Sequence, residues 1–136
     1  MSDMKTLIKN IFMIGKVNKE KDYNTWIFSS SYNNKFNYNS KALFEYVVKN
    51  EPDINPIFII NDNELRSNLQ KEYGKQYFIE TKTNEGIKKV LNSGVWFISA
   101  GLPIYGLNLN KERIIVNLWH GVPLKKIGLM EENFNK

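Results

Sequence analysis

The chain contains a single histidine, His120, and it lies in a segment whose residue types suit a catalytic loop. Within the segment NLWHGVPLKKIG, residues 117–128, His120 directly follows an apolar run, residues 113–119, that we predict to be a strand. Imidazole takes up and releases a proton near neutral pH, as a general base must when it activates a hydroxyl group. His120 is therefore our candidate catalytic residue. The spacing alone leaves a second interpretation open, in which His120 is a hydrogen-bonded side chain that orders a loop.

Four residues that follow His120 are candidates for binding substrate. Gly121 permits a positive φ and leaves room for a ligand to approach the backbone. Pro123 is suited to the first position of a helix. Lys125 and Lys126 would then lie in the first turn of that helix, where they add positive charge to an N-terminus that already attracts phosphate.

An asparagine-rich loop, residues 31–39, follows another predicted strand. We name Ser29, the first of three consecutive serines, and Asn39, the last residue of the loop, as further candidates for binding substrate. A serine hydroxyl would suit a phosphate or a sugar hydroxyl, although serines also form turns in such loops. The aromatic residues of this loop either stack on a ligand or pack onto the sheet.

Apolar runs alternate with amphipathic segments from Trp26 onward, and this alternation predicts the fold class. The predicted strands are residues 26–30, 56–61, 76–80, 95–100 and 113–119. The predicted helices are residues 40–50, with Asn39 or Ser40 as the N-cap, a segment through Leu65, Leu69 and Tyr73 that Gly74 ends, and residues 84–94. Such an order indicates an α/β fold with an open, mostly parallel, Rossmann-like sheet. Ligands bind at the carboxyl ends of strands in such sheets, where His120 is expected to lie.

Composition excludes several classes of function. The chain has 136 residues, a formal charge of +5 and no cysteine, which excludes disulfides and thiolate chemistry. One histidine without a carboxylate cluster leaves too few ligands for a metal site, so we expect no metal and no cofactor. Arginine occurs only at Arg66 and Arg113, which argues against nucleic acid as a partner. The apolar runs are far shorter than the ~20 residues of a membrane span, and no signal peptide is evident, so we expect a cytoplasmic protein.

The length predicts one domain, which we place at residues 26–136, preceded by a lead-in segment over residues 1–25. Within that segment, residues 4–16 have the pattern of a basic amphipathic helix. Such a helix either packs on the sheet or lies on an anionic membrane surface. Both interpretations are open at this point.

The segment NLWHGVPLKKIG also resembles the Trp-His-Gly-x-Pro-x-Lys motif of the CDP-glycerol glycerophosphotransferase family, which synthesises teichoic acids and related capsule polymers. Two other segments are similar to that family in order and approximate spacing: YNSKALFEYVVKN, residues 38–50, and VWFISAGLPIY, residues 95–105. The resemblance covers residues 26–126 and rests chiefly on residues 119–128.

The resemblance implies the N-terminal, acceptor-side half of a glycosyltransferase-B-like fold, at the cytoplasmic face of the membrane. It implies transfer of glycerol phosphate, or a related alditol phosphate, from a CDP-glycerol or CDP-alditol donor to a hydroxyl of a lipid-linked polymer. By the same match, His120 is the base that deprotonates the acceptor, Lys125 supplies charge near the phosphates, and Gly121 and Pro123 shape the loop.

The family's donor-binding half has no counterpart in these residues, so we expect this chain alone to be inactive. The competing hypothesis is a non-catalytic α/β module or remnant that binds an anionic polymer or a protein partner through its lysines.

Overall fold

The structure is a computed structural model that describes residues 20–104 and 112–121. In these residues, five parallel strands form one sheet, which three helices flank. The strands are β1 (Asp22–Ser29), β2 (Asn55–Ile59), β3 (Phe78–Ile79), β4 (Ser93–Ile98) and β5 (Ile114–Asn117). The helices are α1 (Tyr38–Asn50), α2 (Asn63–Tyr73) and α3 (Asn84–Asn92). The predicted α/β class and the open, Rossmann-like parallel sheet are confirmed.

The strand order is β3-β2-β1-β4-β5, with β1 in the centre. Ile27 of β1 pairs with Ile57 of β2 on one side and with Trp96 of β4 on the other. The chain first builds outward from β1 through β2 and β3, and it then crosses to the other side to add β4 and β5. The direction of building therefore reverses between β1 and β4, which is where ligands bind in open α/β sheets.

Helices cover both faces of the sheet. Successive side chains of a strand point to opposite faces, so Ile27 and Phe28 belong to different cores. The core shared with α3 consists of Ile27, Ile57, Ile59, Ile87, Val90, Leu91, Trp96 and Ile104. The core shared with α1 and α2 consists of Phe28, Phe44, Val47, Phe58, Ile60, Leu69 and Phe78. Burial on both faces explains why the strand sequences are nearly continuous apolar runs.

An aromatic cluster fixes α1 to the sheet. Phe44 of α1 meets the rings of Phe28 and Phe58 edge to face, with centroids 5.6 and 5.5 Å apart. Phe36, from the asparagine-rich loop, packs into the same cluster, 4.9 Å from the Phe58 ring. Such pairs add about 0.5–1.5 kcal/mol each beyond the area they bury. The start of α1 therefore has a fixed position over the strand ends.

Two predicted boundaries at the start of the chain were wrong. β1 begins at Asp22 rather than Trp26, because its first residues continue the strand past an irregularity in its pairing with β4. α1 begins at Tyr38 with Asn37 as the N-cap, so Asn39 and Ser40 are not caps. Both are instead inside the first turn, where their side chains bind other parts of the sheet.

Later boundaries also differ from the predicted ones: β2 is Asn55–Ile59 rather than 56–61, and β4 is Ser93–Ile98 rather than 95–100. Gly74, with φ +126°, ends α2 and leads into a 3₁₀ turn at Lys75–Tyr77, so β3 retains only two residues. α3 ends at Asn92 because Ser93 is already the first residue of β4. β5 ends at Asn117, since Trp119 adopts a left-handed φ of +56° that no strand accommodates.

Some predictions fall outside the described residues, namely the helix over residues 4–16 and the substrate-binding residues Pro123, Lys125 and Lys126. Among the helices that the structure describes, none has the length and apolar character to cross a membrane.

Candidate active site

The carboxyl ends of β1, β4 and β5 meet the N-terminus of α1 at one edge of the sheet. The Leu118 N–H donates to the Ile98 carbonyl oxygen at 2.7 Å, and the Ser99 N–H donates to the Ser29 carbonyl oxygen at 3.2 Å. These bonds continue the sheet pairing by one residue beyond the strands. The backbone just before His120 is therefore held by the end of β4, which is itself held by the end of β1.

A tight turn brings His120 back over the end of β4. Trp119 is in the left-handed conformation, and its N–H donates to Asn117 Oδ1 at 3.0 Å. The turn places His120 Nδ1 3.0 Å from the Ser99 carbonyl oxygen. A carbonyl oxygen only accepts, so Nδ1 carries the proton of the neutral imidazole and Nε2 carries the lone pair. Since His120 is exposed, Nε2 is the ring atom that is left available as a hydrogen-bond acceptor.

Two aromatic side chains flank the imidazole. The Tyr38 ring lies 5.4 Å from the His120 ring between centroids, and the Trp119 ring lies 6.5 Å from it. Tyr38 is 45% exposed and Trp119 is 52% exposed. Both have a left-handed φ, +60° for Tyr38 and +56° for Trp119. A non-glycine residue in that conformation costs about 1–3 kcal/mol, and such residues concentrate at functional sites.

The buried side chain of Ser40 ties the first turn of α1 to two strands. Its N–H donates to Ser99 Oγ at 3.1 Å, and its hydroxyl donates to the Ser29 carbonyl oxygen at 2.8 Å. The hydroxyls of Ser40 and Ser99 are 2.7 Å apart. The residue that accepts from His120 is thus itself held by α1.

Asn39 contacts the backbone that leads into His120. Its Nδ2 lies 2.8 Å from the Leu118 carbonyl oxygen and 3.2 Å from the Trp119 carbonyl oxygen. The side chain is exposed. We predicted Asn39 to bind substrate, and the structure places it at the site with its amide nitrogen engaged by the protein.

Ser29 lies at the same edge but beneath the surface. The residue is fully buried, and its hydroxyl has no hydrogen-bond partner among the described residues. Its neighbour Ser30 donates to Asn37 Oδ1, the side chain of the α1 N-cap. Of the predicted substrate-binding residues that the structure describes, Asn39 and Gly121 are exposed and Ser29 is covered.

Gly121 borders open space next to His120. Its φ is +155°, and a Cβ built there would meet no described atom within 4 Å. This space agrees with the predicted role of Gly121, which is to leave room for a substrate.

Both arginine side chains donate hydrogen bonds to backbone carbonyl oxygens. Arg66 donates to the Ile60 carbonyl oxygen at 2.8 Å. Arg113 donates to the Ser93 carbonyl oxygen at 3.1 Å and stacks 4.1 Å above the Trp96 ring, at the amino edge of the sheet. Burial lowers the pKa of Arg113 to about 10. Within residues 20–104 and 112–121, no group of three histidine, cysteine or acidic side chains is placed to hold a metal ion.

Sequence reasoning missed two residues of this site, Ser40 and Ser99, and it named Tyr38 only among the loop aromatics that either stack on a ligand or pack onto the sheet. Ser99 carried a usable signal, because it is a polar residue at the carboxyl end of a predicted strand. Ser40 was assigned to a cap because serine is common there. For Tyr38, which lies 82 positions before His120 in the numbering, only the fold brings the two rings together.

The sequence profile of the CDP-Glycerol:Poly(glycerophosphate) glycerophosphotransferase family matches residues 11–136. A search of curated proteins gives no significant match.

Proposed function

The chain belongs to the CDP-glycerol:poly(glycerophosphate) glycerophosphotransferase family, and on that premise we propose a role in transfer of an alditol phosphate. The proposed donor is CDP-glycerol or a related CDP-alditol. The proposed acceptor is a hydroxyl of a lipid-linked cell-wall or capsule polymer. In this proposal, residues 26–136 form the acceptor-side part of a glycosyltransferase-B-like enzyme.

One observation carries the catalytic part of the proposal, namely the contact between His120 Nδ1 and the Ser99 carbonyl. It leaves the Nε2 lone pair to take the proton of the acceptor hydroxyl. The acceptor oxygen then attacks the phosphorus that bears the glycerol, and the bond from that phosphorus to the bridging oxygen breaks. CMP leaves with the electron pair, and the imidazolium later returns its proton to water. The imidazole thereby acts as a general base.

The other candidates have supporting roles in this proposal. Gly121 gives the acceptor room beside His120. Lys125 and Lys126, with Pro123 shaping the segment, bind the phosphates of donor and polymer. Asn39 and Ser29 form the wall of the site: Ser29 lies buried beneath it, and Asn39 is exposed with its amide nitrogen bound to the protein backbone.

The test is His120→Ala in the full-length natural protein that carries this sequence, assayed for transfer from CDP-glycerol. Loss of a general base lowers kcat by about 10²–10⁴-fold. Stability is expected to change little, because His120 is exposed. The matched control is Tyr46→Ala, an exposed aromatic residue on α1, which should leave turnover unchanged. Turnover of His120→Ala equal to that of the natural protein would contradict the base assignment.

We also propose that the protein works at the cytoplasmic face of the membrane, with residues 4–16 on the lipid surface. The support is the basic amphipathic pattern of that segment. Reversing the charges of Lys5, Lys9 and Lys16 should reduce co-sedimentation with anionic liposomes, and a vesicle of neutral lipid is the control. Unchanged co-sedimentation of the charge-reversed protein argues against this location.

A further inference from the structure

We propose that Asn39 is a positioning residue for His120, whose side-chain amide fixes the turn that directs the imidazole onto the Ser99 carbonyl. The inference rests on the proposed function only in taking His120 as the base. It assigns to Asn39 an action through the protein backbone rather than through a ligand.

The two hydrogen bonds of the Asn39 side chain fix the orientation of the last two peptide groups before His120. A primary amide has two N–H donors, and here they lie within reach of the consecutive carbonyl oxygens of Leu118 and Trp119, at 2.8 and 3.2 Å. Fixing two successive carbonyls fixes the orientation of the peptide planes between them. The direction in which the chain enters His120 is therefore set by a side chain that lies 80 positions before Trp119 in the sequence.

The turn needs such support because its backbone is unfavourable. Trp119 has φ +56°, and a left-handed conformation costs an L-residue about 1–2 kcal/mol. The Asn117 side chain accepts from the Trp119 N–H on one side of the turn, and Asn39 donates to the Trp119 carbonyl on the other. The two amides together hold the residue in this conformation.

The same helical turn also holds the acceptor of the His120 bond. Ser40, next to Asn39, binds Ser99 through its N–H and its hydroxyl. Asn39 thus controls the donor end of the contact between His120 and Ser99, and Ser40 controls the acceptor end. α1 is a rigid base for both, because Phe44 anchors it in the aromatic core.

The chemical consequence is a defined tautomer and a defined direction for the base. Proton transfer requires Nε2 within hydrogen-bond reach of the hydroxyl, and a misplacement of about 1 Å costs about 100-fold in rate. If Asn39 is removed, the imidazole loses its preferred bond to Ser99 and exchanges between tautomers.

Because the chain has a single histidine, ¹⁵N NMR of its imidazole reports on this contact without overlap. At about pH 8.5, where imidazole is neutral, the natural chain should show the Nδ1–H tautomer predominating. Asn39→Ala and Asn39→Asp should each show an averaged pair of tautomers. Asn39→Asp keeps the side-chain shape and removes the donors. An acidic residue in the first turn is favoured by the helix dipole, so this variant separates positioning from folding.

The matched control is Asn50→Ala, at the other end of α1, where the amide also donates to a backbone carbonyl, that of Tyr46. Its imidazole spectrum should equal that of the natural chain. An unchanged tautomer population in both Asn39 variants, with thermal unfolding showing that they fold, would overturn the proposal.

Kinetics of the full-length natural protein separate this inference from the function it rests on. Asn39→Asp should lower kcat about 10- to 100-fold with the KM for the donor within about twofold. If the tautomer changes while His120→Ala retains full turnover, the positioning role stands and the base assignment fails. If His120→Ala is inactive and Asn39→Asp has both a natural spectrum and a natural kcat, the base assignment stands and the positioning role fails.

Discussion

Helices α1 and α3 both begin at the carboxyl edge of the sheet, but their first turns are held in different ways. In α3, the Thr83 hydroxyl accepts from the Gly86 N–H at 3.2 Å, three residues away. In α1, the side chain of the N-cap residue Asn37 does not cap the helix. The first turn is held instead by hydrogen bonds to Ser99 and Leu118, which lie 59 and 79 positions further along the chain than their partners Ser40 and Asn39. A first turn whose capping bond joins neighbouring residues stabilises its own helix. The first turn of α1, tied to several strands, organises the candidate active site.

Among the variants that test this difference, Gly86→Ala in α3 should have the largest effect on stability. A Cβ on Gly86 would overlap the Glu80 carbonyl oxygen, so the helix must shift away from the loop. We expect a loss of about 3 kcal/mol in the free energy of unfolding, at the upper end for an overpacked site. Urea unfolding measures the loss. The imidazole spectrum of His120 should stay natural in the folded fraction, and a changed spectrum would mean that the two helix starts are coupled.

Ser40→Ala makes the corresponding change in α1. It removes the hydroxyl that binds the Ser29 carbonyl and Ser99 Oγ in a buried setting, which costs about 1–3 kcal/mol. Here the imidazole spectrum should change as well, because the Ser99 carbonyl loses part of its support. Urea unfolding and NMR of one sample check both effects. A stability loss with no spectral change would remove the distinction between α1 and α3.

Asp62→Ala tests a second helix, α2, whose N-terminus is capped by a neighbouring residue. Asp62 Oδ1 accepts from the Leu65 N–H at 2.7 Å and caps α2. Loss of such a cap costs about 1 kcal/mol. Thermal unfolding should show that loss with His120 unaffected, whereas Asp62→Asn, which keeps an acceptor at the cap, should restore most of the stability.

Trp119→Gly, unlike the variants above, should increase the free energy of unfolding. Glycine adopts the left-handed conformation without steric cost, so stability should rise by up to about 1 kcal/mol. Turnover should nevertheless fall, because the ring beside the imidazole is lost and the turn is less constrained. Chemical denaturation and a transfer assay measure the two effects. A stability loss above 1 kcal/mol would show that the half-exposed ring contributes more than the strain costs.

The smallest expected effect on stability is that of a change at Glu80, which accepts hydrogen bonds in the loop before α3. Burial by itself would raise the pKa of Glu80, but hydrogen bonds from Thr83 and from the backbone N–H groups of Lys82 and Thr83 hold it below its ordinary value of 4.5. A lowered folded-state pKa contributes stability above the unfolded-state value, and this is lost as pH falls through the folded-state pKa. After solvent screening the contribution is below about 1 kcal/mol. Glu80→Gln should therefore be less stable than the natural chain at pH 7 and lose less stability on acidification, as followed by thermal melts.

The features that could be predicted from the sequence were those set by neighbouring residues. Apolar runs and apolar periodicity predicted the existence of the five β-strands and three α-helices of the described residues, and the position of Gly74 predicted the end of α2. These signals lie within a few residues of the structure they determine. The sheet class followed from the alternation of elements, because that order admits few topologies.

The features that the sequence did not predict depend on partners far along the chain. Asn39 and Ser40 fit a capping pattern, but their side chains bind Leu118, Trp119 and Ser99 instead. His120 was placed at the correct edge by the strand that precedes it, whereas its orientation depends on the Ser99 carbonyl. No local pattern encodes a bond between segments that become neighbours only in the folded sheet.

The central position of β1 has a consequence for how the protein forms. β1 is the first strand of the described residues to be synthesised, yet its pairing with β4 requires Ser93–Ile98, and the site further requires His120. Contacts between residues 59 to 80 positions apart slow folding, because the intervening chain must lose its freedom before they form. During synthesis, one edge of β1 therefore stays open until β4 has left the ribosome. The geometry around His120 forms only after the first three strands, so a chain that stalls before residue 93 has β1, β2 and β3 but neither β4 nor the candidate active site.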